Sequence, residues 1–192
     1  MVGLPRFPIL ALCMAATACS YGRVVADLPS SAYTVSEVAY AASNRDLRVV
    51  IHGNPFGMDP QSFGQLVTDN MQNRIIGVRT RFTTTPNETA RPGYWVALAF
   101  NPSQTMLTSY VCSGQPIPTR PPGGPIVVQG AFCRGSGFAG LLSGGALTSA
   151  TGWLDSPQGP TDPGFKSLIS DMTFSLFPTA NQGSDRGRCT GC

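Results

Sequence analysis

Seven consecutive residues, Tyr94–Phe100 (Y-W-V-A-L-A-F), are apolar on both faces of a two-residue period. A strand with one wet face alternates between apolar and polar; a strand with none must lie inside a sheet that is covered on both sides. The rest of the chain therefore has to supply neighbouring strands and a cover for each face. Leu47–Ile51 reads as the first strand, ending at His52 and turning through Gly53-Asn54-Pro55 toward a helix start. Thr80–Thr84 alternates as a half-exposed strand. Leu107–Cys112, Ile126–Cys133 and Gly145–Leu154 are the remaining strand candidates, with a Pro-rich loop over residues 115–125.

Two helices share one start signal. Asp59 is an N-cap with Pro60 at the first helical position, and Phe63, Leu66, Val67, Met71 and Ile75 then recur at intervals of three and four up to Gly77. Asp162-Pro163 repeats the device, followed by Phe165, Leu168, Ile169, Met172 and Leu176, with Pro178 as the stop. Both stripes read as core faces. The order strand, helix, several strands, helix, with short links between the later strands, predicts an α+β domain. Its expected form is an antiparallel sheet of about five strands with the two amphipathic helices on one face.

A chain of 192 residues holds one domain with a real core. Its 22 glycines and 17 prolines imply many turns, while 42% hydrophobic residues is too many for a disordered protein. The formal charge is only +3, and no dense Lys/Arg run tracks a phosphate backbone, which argues against a nucleic-acid partner.

The N-terminus carries an address. Arg6 precedes an apolar run, Pro8–Ala18, that is too short to span a bilayer and ends in small residues, the pattern of a secretory signal peptide. Ala16-Thr17-Ala18-Cys19 resembles the lipobox of bacterial prolipoproteins, with Ala where the usual Leu stands three residues before the cysteine. The resemblance implies that Cys19 receives a lipid and becomes the new N-terminus. Cysteine parity agrees: with Cys19 acylated, Cys112, Cys133, Cys189 and Cys192 remain and can pair in an oxidising compartment. Cys112 and Cys133 flank the Pro-rich loop and could staple two neighbouring strands. Plain cleavage after Ala18, giving a soluble periplasmic or secreted protein, is the alternative. Ser20 rather than Asp after the cysteine implies, by the enteric sorting rule, the outer membrane facing the periplasm. The expected organisation is signal peptide 1–18, tether 19–44 with a short helical turn around Val35–Ala42, domain 45–178, and a flexible tail 179–192 carrying a C-x-x-C.

Several motifs invite chemistry and find a plainer reading. Gly135-Ser136-Gly137-Phe138-Ala139-Gly140 matches the dinucleotide fingerprint by letter, with Asp155 twenty residues on, but no helical stripe follows it, so no cofactor is expected. His52, the sole imidazole, lacks a nucleophile or ligand pattern elsewhere in the chain and reads as a hydrogen-bonded strand-end residue. Cys189-Thr190-Gly191-Cys192 has no following helix to lower a thiol pKa, so a local disulfide outweighs thiol exchange or soft-metal capture. Pro118–Pro121 has P-x-x-P spacing but sits in a loop, and Asn87-Glu88-Thr89 matches a glycosylation sequon in a chain with a bacterial signal. Arg74, Arg79, Arg81, Arg91, Arg120 and Arg134 face one nearby acid in sequence, Glu88. Arg79 and Arg81 would share a strand face and could bind an anion.

The segment H-G-N-P-F-G, with R-F-T-T-T-P and A-F-C-R-G further on, is similar to small, uncharacterised alphaproteobacterial lipoproteins over residues 40–178. That resemblance implies localisation and supplies no activity, cofactor or catalytic residue. The expectation is a lipid-anchored, non-catalytic envelope protein with no catalytic or metal residues. It would bind or scaffold through groups such as His52, Arg79 and Arg81, with an envelope protein, peptidoglycan or lipopolysaccharide as partner. The alternative is a thiol-redox or soft-metal protein using Cys189 and Cys192.

Overall fold

The computed structural model describes residues 22–104, 106–138 and 141–179. Six strands and three α-helices run in the order β1 (Arg23–Ala26), α1 (Val35–Ala42), β2 (Arg45–His52), α2 (Pro60–Met71), β3 (Thr80–Thr83), β4 (Tyr94–Phe100), β5 (Ile126–Phe138), β6 (Leu141–Leu154), α3 (Pro163–Leu176). One 3₁₀ turn, Thr108–Cys112, lies between β4 and β5.

The fold is α+β, but the sheet is mixed. Its order is β1-β6-β5-β4-β2-β3, with β2 parallel to both β3 and β4 and every other pair antiparallel. The expectation of a purely antiparallel sheet fails at α2. A segment long enough to contain α2 separates β2 from β3, and a crossover of that length returns the chain parallel to where it left. The β4–β5 and β5–β6 links, which lack an α-helix, deliver antiparallel neighbours. β4 lies between β2 and β5, as its double-sided apolarity requires, and Trp95 through Phe100 are all at most 1% exposed.

The two faces of β4 are covered differently because its side chains alternate in size. Val96, Leu98 and Phe100 join Leu47, Val49, Val128 and Phe132 under the three helices. Trp95, Ala97 and Ala99 face the other way with Ala131 and Cys133, and there Val111, Cys112 and Ile117 close over them. Small alanines leave a shallow trough, and a turn of 3₁₀ backbone with a loop fills it where a helix would stand too high. Leu107–Cys112 is therefore not the expected strand. Leu107 is 80% exposed while the adjacent Val111 and Cys112 are both buried, a pattern no alternating strand gives. Cys112 and Cys133 form a disulfide with Cα atoms 5.6 Å apart, which staples this flap to β5 instead of joining two strands.

The expected tether is partly built into the body. β1 pairs with β6 along its whole length, and Val38, Ala41 and Ala42 of α1 are buried. Thr34 caps α1 by accepting from the Glu37 backbone N–H at 3.0 Å, so the short helical turn is a true helix with its own N-cap. Both Asp-Pro starts form as predicted. The Asp59 carboxylate accepts from Ser62 N–H and that of Asp162 from Gly164 N–H. α2 stops at Met71 rather than Gly77. Gln72 turns its amide to the edge strand, donating to Phe82 C=O at 2.8 Å and accepting from Phe82 N–H at 3.2 Å, and Asn73 then takes a left-handed φ of 60°.

α3 seats on β5 and β6 because glycines let it approach. A Cβ on Gly152 would come within 2.7 Å of Leu168, and one on Gly130 within 2.8 Å of Met172. A bulge in β6 places Leu147 and Thr148 together on the helix side, where the Thr148 hydroxyl donates to the Leu176 carbonyl at 2.6 Å and fixes the end of α3. Among the described residues no helix is long and apolar enough to cross a membrane.

Candidate functional site

The sequence-predicted site residues fall at opposite ends of the parallel strands. His52 is the last residue of β2, at its carboxyl end, and is half-buried. Burial holds its imidazole below the ordinary 6.5, which leaves it neutral at pH 7. The turn after it is fully employed in structure. Gly53 has φ 79°, and a Cβ there would lie 2.4 Å from the Phe100 carbonyl. The Asn54 side chain accepts from the N–H groups of Phe56 and Met58 and donates to the Met58 carbonyl, tying the loop to itself. Beyond this turn, residues of three loops, Pro55-Phe56, Gly123–Pro125 and Asp155–Gly159, line an open cleft of about 450 Å³.

Arg79 and Arg81 lie at the other end, around a shallower cleft of about 330 Å³ that also involves Arg45, Asp46, Asn87 and Thr89. Here the structure adds an acid that the sequence reading missed. Asp46 is 4% exposed and grips the Arg81 guanidinium in a two-pronged pair at 2.9 and 2.6 Å. It also accepts from Asn87 N–H at 3.0 Å, and its own N–H donates to the Thr89 hydroxyl. Arg81 is thus a structural partner that ties β3 and the following loop to β2. Arg79 is exposed beside it. The missed signal is register: Asp46 and Arg81 are cross-strand partners in a parallel pair, and that pairing is invisible until the direction of β3 is known.

The Arg81 guanidinium, together with the Asn87 N–H, holds the Asp46 carboxyl below its usual 3.8 despite burial. A carboxyl depressed in the folded state binds its proton less readily than in the unfolded chain, so acid favours unfolding. The stabilisation is complete above the unfolded carboxylate value and is lost as pH falls through the lower folded value. Thermal melts of the wild type between pH 5 and pH 2 should therefore show falling stability. Asp46→Asn should start lower at pH 7 and show a shallower acid decline; an unchanged acid slope would assign the loss to other groups.

Further arginines of the supposed patch are also engaged. Arg134 pairs with Glu37 at 2.8 Å, and the Tyr94 hydroxyl donates to the same Glu37 oxygen. Those contacts, the tyrosine bond first, hold the Glu37 carboxyl low. Burial first, and Glu37 second, push the Tyr94 hydroxyl up to about 12. Arg91 stacks 3.6 Å from the centroid of the Tyr40 ring and donates to the Tyr40 carbonyl, while Arg74 lies over Phe174. The Glu37 and Tyr40 contacts fasten α1 to β5 and to the start of β4, and the Arg74 contact joins the segment after α2 to α3.

Gly135 and Gly137 of the fingerprint-like motif belong to β5, which pairs with β6. Gly135 N–H donates to Gly93 C=O at 3.0 Å, and a Cβ on Gly144 would strike the Arg134 carbonyl at 2.4 Å. Close backbone passage explains Gly93 and Gly144 beside the motif, and the strand continues where a dinucleotide site needs a helix start. Ala139 and Gly140 of that motif lie outside the described residues, as do Cys19, Cys189 and Cys192. The P-x-x-P loop is tied back to the end of β4: Pro118 C=O accepts from Ser103 N–H, and Arg120 N–H donates to Asn101 C=O. Among the described residues, no group of three or more His, Cys, Asp or Glu is arranged to hold a metal ion.

No protein-family model matches the chain. No curated protein matches it either. Among solved structures it is similar to the PelC dodecamer from Paraburkholderia phytofirmans, at 16% identity and a TM-score of 0.41 over 81% of this chain and 97% of that one. A point variant of the same dodecamer gives 14% identity and a TM-score of 0.39 over 81% and 98%. At those scores the likeness assigns no role to any residue described above.

Proposed function

We propose that this chain is an exported cell-envelope domain, lipid-tethered through Cys19, that works by binding or scaffolding rather than by catalysis. The observation that carries the reading is the Cys112–Cys133 disulfide, whose two cysteines are both 0% exposed and which locks the flap over the central strands. A structural staple of that kind suits an oxidising compartment, and the signal-like start with its A-T-A-C sequence supplies the route there. The non-catalytic part is supported by how the carboxylates are employed. Asp59 and Asp162 hold helix starts, Asp46 holds the loop after β3, and Glu37 ties α1 to β5. The outer-membrane destination rests on Ser20 and the sorting rule.

Intact mass of the mature protein, purified from membranes of a bacterial host, tests the reading. The expected species begins at Cys19, carries acyl chains, and shifts in mass on reduction by the hydrogens of its disulfides. A mature chain beginning at Cys19 without lipid, or retaining residues 1–18, would overturn the anchor.

A further inference from the structure

This inference rests on the Cys19 acylation proposed above and concerns which surface the lipid then holds against the bilayer. The expected 26-residue tether does not exist as free length, because β1 is hydrogen-bonded into the sheet from Arg23 onward. Cys19 lies three peptide links before Gly22, so their Cα atoms are at most about 11 Å apart. The headgroup layer on each side of a bilayer is itself roughly 5–8 Å deep. The start of β1 is therefore held at or just outside the headgroups.

The surface at that corner has a matching composition. On the sheet face away from the helices, Trp153 lies directly between its cross-strand partners Arg23 and Val127, with Val25 two residues along. Val25 is 57% exposed, and Val127 and Trp153 are half-buried. The flap covers the alanine trough around Trp95, Ala97 and Ala131, and none of the four corner residues is fully buried. The Arg23 guanidinium sits 5.3 Å from the Trp153 ring centroid and 2.9 Å from Asp155, so an ion pair without net charge borders the indole. An indole has an apolar body and one N–H donor, and it partitions to the boundary between hydrocarbon and headgroup. We infer that the Arg23–Val25–Val127–Trp153 corner is a lipid-contacting surface, with Trp153 at the headgroup level of the leaflet that holds the Cys19 acyl chains. Because the flanking pair is neutral, the contact depends on the indole and valines and not on anionic lipid.

The two tryptophans of the chain make the test direct, since Trp95 is 1% exposed and serves as a silent internal reference. The acylated protein is reconstituted in phosphatidylcholine vesicles that carry a spin-labelled headgroup, floated on a density gradient, and its tryptophan emission is read. The expected result is quenching in the wild type, unchanged by added salt and absent in Trp153→Phe. Restoring an indole at the corner with Val25→Trp in the Trp153→Phe background should restore quenching, whereas Gln61→Trp on exposed α2 in that background should not. Protein that floats with unquenched Trp153 overturns the lipid-contact surface and leaves the anchor standing. Protein that fails to float, with an unacylated Cys19 by mass, overturns the anchor and this inference together.

Discussion

Phe165→Ala is expected to cost the domain about 3–5 kcal/mol, the range for deleting a buried aromatic side chain whose surroundings cannot collapse into the space. Phe165 is 0% exposed in the first turn of α3. Its ring centroid lies 4.9 Å from that of Phe56, 6.3 Å from Phe63 and 6.2 Å from Phe100. Those three partners belong to the turn after β2, to α2 and to β4, so one side chain joins four separate pieces of the chain. None of them can move into the void without leaving its own place in the core, although only Phe100 is part of the sheet. Against a total stability of about 5–15 kcal/mol for an ordinary domain, the loss is a large fraction. Urea titration should show a lower midpoint with an unchanged slope. Phe165→Leu, which keeps most of the volume, should recover most of the difference. A midpoint shift in the alanine variant worth less than about 1 kcal/mol would mean that the aromatic cluster does not hold α3 to the sheet.

What the sequence revealed of this fold follows from which interactions are local. The two Asp-Pro helix starts were legible because an N-cap carboxylate and the N–H it accepts from are two or three residues apart. Burial of Tyr94–Phe100 was legible because seven residues in a row declare it. The direction of β3 was not legible, since parallel and antiparallel partners present the same T-R-F-T alternation, and the α2 crossover decides between them. The same gap hid half of the site around Arg81. Sequence neighbours showed several arginines near one acid, while the acid that matters, Asp46, lies 35 positions earlier and meets Arg81 only through strand register. From sequence β1 and α1 read as a tether because four strand residues and eight helical ones are too few to make a convincing period. The Thr34-x-x-Glu37 spacing was the usable signal for α1, and it resembles a capping box. The flap is hidden in the sequence for a related reason. L-T-S-Y-V-C has strand-like composition, and only the trough made by Ala97, Ala99 and Ala131 on other strands turns it into a 3₁₀ cover.

That cover is held by one covalent bond, and removing the bond is the second large effect. Replacing Cys112 and Cys133 together by alanine should destabilise the domain by about 3 kcal/mol, the chain-entropy value for a loop of this length. The two cysteines are 21 positions apart in sequence. At about 2–4 °C per kcal/mol for a domain of this size, the melting temperature should fall by about 6–12 °C. Alanine is the informative replacement because both positions are 0% exposed, and a serine would leave an unpaired hydroxyl in the core. The same burial predicts how reduction behaves. Dithiothreitol added to the native protein should act only as fast as the flap opens, whereas protein unfolded in urea should reduce at once. Trp95 reports the event because it lies beneath the flap at 1% exposure. In the double alanine variant its emission should shift to the red at a temperature below the loss of helical circular dichroism, because the flap is then held only by contacts around Val111 and Ile117. If emission and dichroism instead melt together near the wild-type temperature, the flap is held by packing alone and the disulfide contributes nothing to the fold.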